Sequence, residues 1–132
     1  MDLVFSGYLL GLSIEDIRKR KLSVWILGIG FAGSVLYGFV HNGLFEVLTG
    51  IIPGVFLFIL SILLPHSVGL GDGILTIIYG VVYGWKQVCF WLICGFLLAA
   101  VFGVYISLFR KGMCRMIPLV PFLTLVHVGM CL

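Results

Sequence analysis

Long apolar stretches, separated by short polar breaks, follow one another along the whole chain. Most of them approach the roughly 17 to 25 residues with which a helix crosses a hydrocarbon core of about 30 Å. The breaks fall at His41-Asn42-Gly43, between Pro65 and Asp72, and at Gly84-Trp85-Lys86, where turn-forming or interfacial residues cluster. The pattern predicts six helices, over residues 3–18, 24–40, 44–64, 73–84, 87–109 and 118–132.

The composition places these helices in a bilayer. Of the 132 residues, 62% are hydrophobic and only 10% are charged, which is more apolar surface than a soluble domain of this size can bury. The four cysteines, Cys89, Cys94, Cys114 and Cys131, form no C-x-x-C pair and have no histidine at ligand spacing, so no metal, cofactor or disulfide framework is expected. We predict an all-α, polytopic integral membrane protein with a single transmembrane domain over residues 1–132.

The positive charges predict an orientation. The net charge of +3 comes from two short basic clusters, residues 18–21 and 110–115, which are typical of topology signals and anionic-lipid contacts rather than of nucleic-acid binding. Six spans place seven of the eight lysines and arginines on the cytoplasmic side, with only Lys86 opposite. Both termini are then outside. The fourth span has only about a dozen residues, which requires a thinned bilayer or burial among neighbouring helices.

Small residues four apart predict close helix packing. Gly7 and Gly11, Gly50 and Gly54, and Gly80 and Gly84 are the three pairs. Because lipid provides no hydrophobic drive for association, such pairs favour the close approach of helix backbones.

Two aspartates are the best candidates for chemistry. Asp16 ends the first predicted helix and Asp72 opens the fourth, so the orientation places both at the cytoplasmic face, together with Glu15. Acids at a membrane are costly and by default indicate function. Two carboxylates that approach within a few ångström share a proton, so that one acts as acid and the other as base toward a water. The glycines around Asp72 would let a substrate strand run close to the backbone.

Each aspartate also has an ordinary structural interpretation. An Asp just before a helix, as predicted for Asp72, is a common N-cap, and Asp16 could pair with Arg20 one turn on. Glu15 points roughly 100° away from Asp16 on the helix and is interpreted as interfacial. Which aspartate would be the base stays open, because the helix dipoles favour an ionised Asp72 whereas the neighbouring arginines favour an ionised Asp16.

The predicted orientation assigns each of the three histidines to one side of the membrane. His66 lies on the cytoplasmic side, where it could tune or orient a carboxylate, or could be a solvated loop residue. His41 and His127 belong to the outer half and are interpreted as interface or packing residues.

Three motifs, in order, resemble the type IV prepilin peptidase family, over nearly the whole chain. They are Asp16-Ile17-Arg18, Gly69-Leu70-Gly71-Asp72, and the stretch 117–123, which reads IPLVPFL. The resemblance implies an aspartic endopeptidase of the inner or plasma membrane that cuts the leader from pilin-like precursors at the cytoplasmic face, after a Gly and before a hydrophobic helix. Asp16 and Asp72 match the catalytic aspartates, Gly69 and Gly71 match the motif glycines, and Arg18 is a possible tuning residue.

The chain departs from the family pattern at two positions. Leu22-Ser23-Val24 stands where the family usually has I-P-N, and Ile74 stands where it often has Lys. The paired C-x-x-C region of larger relatives is missing, so protease activity without methyl transfer is expected. These departures keep open an alternative, a catalytically inactive membrane scaffold or assembly subunit of a pilus or secretion system. A small transporter with an acidic proton relay is a third hypothesis, disfavoured because no polar residues continue the path across the bilayer.

Overall fold

The computed structural model describes residues 2–19, 24–64, 70–109 and 120–131. These residues form six α-helices, and no strand occurs among them. The helices are α1 (Asp2–Lys19), α2 (Val24–His41), α3 (Leu44–Leu63), α4 (Leu70–Tyr83), α5 (Trp85–Phe109) and α6 (Val120–Cys131). The predicted all-α class is confirmed.

The largest difference from the predicted bounds concerns α4. This helix already includes Leu70, whereas the predicted start was Gly73. Asp72 therefore lies inside the first described turn of α4, and its interpretation as an N-cap is wrong. The glycines that suggested a loop are tolerated in the helix because Gly73 is buried in tight packing, which offsets its weak helix propensity.

The helices are those of a membrane protein. Three are long and apolar enough to cross a bilayer, namely α2, α3 and α5. α4 and α6 are apolar but have only 14 and 12 described residues, and α1 has charged residues at both ends. Large apolar side chains are exposed along the helices, Trp25 for example at 83%. Six spans, with both termini outside, stay a prediction.

The chain divides into two compact units. Unit 1 contains Met1–Arg20 and Trp91–Leu132, and unit 2 contains Lys21–Phe90. α1, α6 and most of α5 therefore belong to unit 1, whereas α2, α3 and α4 belong to unit 2. A single transmembrane domain over residues 1–132 stays a prediction.

Glycines bring α3 and α4 of unit 2 together. A Cβ added at Gly50 would overlap the carbonyl of Gly80, and one added at Gly80 would overlap the carbonyl of Gly50. One turn further along α3, a Cβ at Gly54 would lie 2.6 Å from the backbone nitrogen of Ile77. The predicted packing role is thus confirmed for these three glycines, and the two helices run antiparallel along this contact.

The other predicted packing glycines have different environments. Among the described residues, no atom lies within 4 Å of a Cβ placed at Gly7, Gly11 or Gly84, and Gly7 and Gly11 are exposed. Gly84 instead forms the turn between α4 and α5 with a φ of +85°. Its N–H donates to the Gly80 carbonyl at 2.9 Å, and its own carbonyl accepts from the N–H of Val88 at 3.2 Å. Close packing of these three positions against the described helices was a wrong prediction.

Because of its positive φ, we expect Gly84→Ala to lower the free energy of unfolding by about 1 to 2 kcal/mol. Gly43→Ala is the matched control, because Gly43 also has open space around it but has a φ of −65°. Thermal unfolding in detergent micelles would measure both variants. Equal melting temperatures for the two would contradict the strain expected at Gly84.

Asn42 connects the turn between α2 and α3 to the end of α4. Its side-chain amide donates to the carbonyls of Val81 at 3.1 Å and Val82 at 2.9 Å. These carbonyls belong to the last turn of α4, and the carbonyls in the last turn of a helix have no N–H partner within the helix. The side chain therefore caps α4 from a neighbouring element.

In unit 1, α1 and α6 pack antiparallel. The buried ring of His127 meets the Phe5 ring edge-on, with centroids 5.3 Å apart. Nearer the start of α6, the Thr124 hydroxyl lies 2.9 Å from the Val120 carbonyl and 3.4 Å from that of Leu9. His127 is thus a packing residue, as predicted.

α5 contacts α6 within the same unit through Trp91 and Gly95. The fully buried indole of Trp91 donates to the Leu123 carbonyl at 2.7 Å. A Cβ at Gly95 would overlap the side chain of Leu123. Several neighbours therefore hold the first turn of α6 in place.

Candidate active site

Asp16 lies in the last described turn of α1 and is half-buried. The backbone N–H of Val120 lies near its carboxylate. Val120 is the first residue of α6 and is completely buried. The antiparallel packing of α1 and α6 thus brings the end of α1 that carries Asp16 to the N-terminal end of α6.

The neighbours of Asp16 on α1 differ in exposure. Glu15 is half-buried, and its Oε2 atom is shielded from solvent. Arg18 is exposed. Arg20, the alternative partner of Asp16, lies outside the described residues, as does any contact it makes.

Asp72 belongs to unit 2, in the first described turn of α4, and is also half-buried. Its backbone carbonyl accepts a hydrogen bond from the Thr76 hydroxyl at 2.7 Å. Thr76 is fully buried, so this polar side chain satisfies its donor within its own helix.

The glycine that follows Asp72 has a packing role. A Cβ at Gly73 would lie 2.8 Å from the Cα of Phe58 in α3, so the two helix backbones nearly touch there. The expectation that the glycines around Asp72 leave the backbone open to a substrate strand is therefore wrong at Gly73. This contact instead fixes where α4 carries Asp72 relative to α3.

The remaining predicted site residues are only partly described. Gly71 lies in α4 beside Asp72 and is half-buried. Gly69 and His66 lie outside the described residues. Asp16 and Asp72 belong to different units, and their pairing stays a prediction.

The described parts of the chain contain no group of three His, Cys, Asp or Glu side chains placed to hold a metal ion. Cys89, Cys94 and Cys131 are free thiols, and Cys114 lies outside the described residues. The expected independence from metals and cofactors stays a prediction.

Apolar exposed helix faces and half-buried acids near helix ends define a polytopic α-helical membrane protein with candidate acid–base chemistry. The model of the type IV leader peptidase family matches residues 3–104, and the chain belongs to this family. Comparisons with curated proteins and with solved structures give no match. The resemblance to this family is confirmed, and the matched range contains the first two of the three motifs.

Family membership identifies the chain as a leader peptidase, hence a hydrolase, and implies pilin-like precursors as substrates. The apolar helices and the family together fit a multi-pass protein of the inner membrane. Both aspartates lie in the matched range, whereas α6 lies beyond it.

Sequence reasoning missed the contact between Val120 and Asp16. The stretch 117–123 contributed only to the resemblance, and no residue in it was assigned a role. Pro118 and Pro121 flank the start of α6, and prolines are common at helix N-termini because the first turn has free N–H groups anyway. This signal indicates a helix start, but it does not reveal what lies opposite.

Proposed function

We propose that this protein is an aspartic endopeptidase that removes the leader of type IV pilin-like precursors, with Asp16 and Asp72 as its catalytic pair. The observation that carries the proposal is the family match over residues 3–104, a range that contains both aspartates. The half-buried state of both side chains supports it, because electrostatic interactions between charged groups are stronger where water is partly excluded. The proposed site faces the cytoplasm, as the distribution of positive charges predicts.

In the proposed reaction, the two carboxylates share one proton. The ionised member takes a proton from a water, whose oxygen attacks the scissile carbonyl carbon, while the protonated member donates its proton to the carbonyl oxygen. The resulting tetrahedral intermediate collapses: the acid that took the water's proton gives it to the leaving nitrogen as the C–N bond breaks, and the other carboxylate takes back the proton of a hydroxyl group on the intermediate. The products are a free leader carboxylate and a new N-terminal amine on the hydrophobic helix.

The other motif residues have supporting roles in this proposal. Gly69 and Gly71 would allow the substrate backbone to approach, which side chains would obstruct. Arg18 would favour the ionised form of the nearby Asp16, and His66 would orient a carboxylate by hydrogen bonding. The basic clusters would contact anionic lipids of the inner leaflet.

The proposal is tested with the full chain, reconstituted in vesicles with a pilin-like precursor that has Gly before its hydrophobic helix. Mass spectrometry of the new N-terminus should show cleavage directly after this Gly. A precursor with Leu in place of the Gly is the control and should stay intact. If the protein cross-links to the precursor but never cleaves it, the proposal fails and the scaffold alternative is supported.

A further inference from the structure

We infer that Gly73 and Thr76 are positioning residues for Asp72, and that they act through the backbone of α4. The inference rests on the proposed function. Neither residue brings a reacting group to the substrate. Gly73 sets the distance between α4 and α3 beside Asp72, and Thr76 fixes the peptide group that follows the Asp72 side chain.

The contact at Gly73 leaves almost no space between the two helices. A Cβ at this position would lie 2.8 Å from the Cα, 3.0 Å from the nitrogen and 3.1 Å from the Cβ of Phe58. Ordinary van der Waals contacts of a Cβ lie between 3.4 and 4 Å, so an added methyl group would push α4 back by more than half an ångström. Because Asp72 is the preceding residue, its carboxylate would move with the backbone.

Thr76 holds the same segment from within α4. Its hydroxyl donates to the Asp72 carbonyl at 2.7 Å, and the residue is fully buried. In an α-helix this carbonyl also accepts from the backbone N–H four residues on, so the hydroxyl is a second donor to one oxygen. Hydroxyls bound in this way alter the local bend of a helix. The hydroxyl of Thr76 therefore influences the direction in which Asp72 leaves the helix.

Displacement of a reacting group affects the chemical step more than substrate binding. A shift of about 1 Å can lower a rate by about a hundred-fold, because acid, base and water must be aligned in the transition state. Supporting residues that restrain this alignment are therefore detected in kcat, with KM little changed.

The first test is Gly73→Ala. We expect kcat for leader removal to fall at least about ten-fold, with KM within about two-fold of the original. Gly80→Ala is the matched control, because its added Cβ would overlap the Gly50 carbonyl in the same helix pair, but two turns away from Asp72. Its melting temperature should fall at least as far, yet α4 can tilt about the Gly73 contact, and kcat should fall by less than about three-fold.

The second test separates positioning from packing at Thr76. Thr76→Val keeps nearly the same shape and removes the hydroxyl, and we expect a kcat about five-fold lower, the effect of about one neutral hydrogen bond. Thr76→Ser keeps the hydroxyl and should retain kcat within about two-fold. Packing alone predicts the opposite order, because serine leaves a methyl-sized space in the core.

Thr49→Val is the control for the loss of a hydroxyl. The Thr49 hydroxyl also bonds the carbonyl four residues back, that of Phe45 at 2.9 Å, but it does so in α3 at an exposed site. Its kcat should change by less than about two-fold.

The inference fails if Gly73→Ala loses no more activity than Gly80→Ala, or if Thr76→Val is as active as Thr76→Ser. Either result, in a protein that cleaves its precursor, would leave the proposed function intact. Absence of cleavage by the unmodified protein would overturn the proposed function, and the inference with it.

Discussion

Asp16→Asn and Asp72→Asn are each expected to reduce leader removal by at least about a thousand-fold. In the proposed reaction, one carboxylate must accept a proton while the other donates one, and an amide can do neither at neutral pH. Loss of either member therefore disables the pair, and the double variant should be no worse than the single ones. Quantitative mass spectrometry of cleaved and intact precursor would measure the effect.

Glu46→Gln is the control for this experiment. Glu46 is an exposed acid in the first turn of α3, so its substitution makes the same chemical change away from the proposed pair. Its cleavage rate should stay within about two-fold of the original, as expected for an exposed surface position. Full activity in either aspartate variant would refute the catalytic pair. A loss as large for Glu46→Gln would indicate that charge or assembly is responsible instead.

Gly80→Val is expected to produce the largest loss of stability, of about 3 kcal/mol or more. Even a single added carbon would overlap the Gly50 carbonyl, and α3 and α4 would have to move apart along their whole contact. Overpacking of a tight interior contact by one or a few carbons typically lowers stability by about 1 to 3 kcal/mol, and a branched side chain against a backbone exceeds that range. Gly80→Ala should show a smaller loss.

The matched controls are Gly28→Ala and Gly33→Ala in α2. In the described part of the chain, no atom lies within 4 Å of a Cβ at either position. Alanine favours a helix over glycine by about 1 kcal/mol, so these variants should keep or raise the melting temperature. Denaturant titration of the micelle-embedded protein would compare all four. If the Gly80→Ala variant were as stable as the α2 variants, the result would contradict the tight contact between α3 and α4.

Much of the helical architecture was predictable from local patterns. Apolar runs and turn residues predicted all six helices, and the break at His41-Asn42-Gly43 agrees with the ends of α2 and α3 to within a residue. This success has a simple cause. In a bilayer every backbone polar group must be satisfied within the segment, so an apolar run of sufficient length has helix as its available form.

Predictions about contacts succeeded only in part. The same four-residue glycine spacing occurs at Gly7 and Gly11 and at Gly50 and Gly54, yet only the second pair packs tightly against other described residues. The spacing shows that one face of the helix lacks bulky side chains, but it does not show whether another helix packs against that face. Likewise, the space beside Gly73 was predicted to be open to a substrate, but the backbone of α3 occupies it.

The candidate site was also predictable only in part. Local motifs and a membrane-side argument were enough to single out Asp16 and Asp72, because acids are scarce and costly in an apolar chain. The partner of Asp16 in α6 was not predictable, since Val120 is more than one hundred residues away and offers only a backbone N–H, which every residue except proline has. Helix formation depends on near neighbours and can be derived from them. The choice of which helix ends and faces meet depends on side chains remote in the chain, and packing alone decides it.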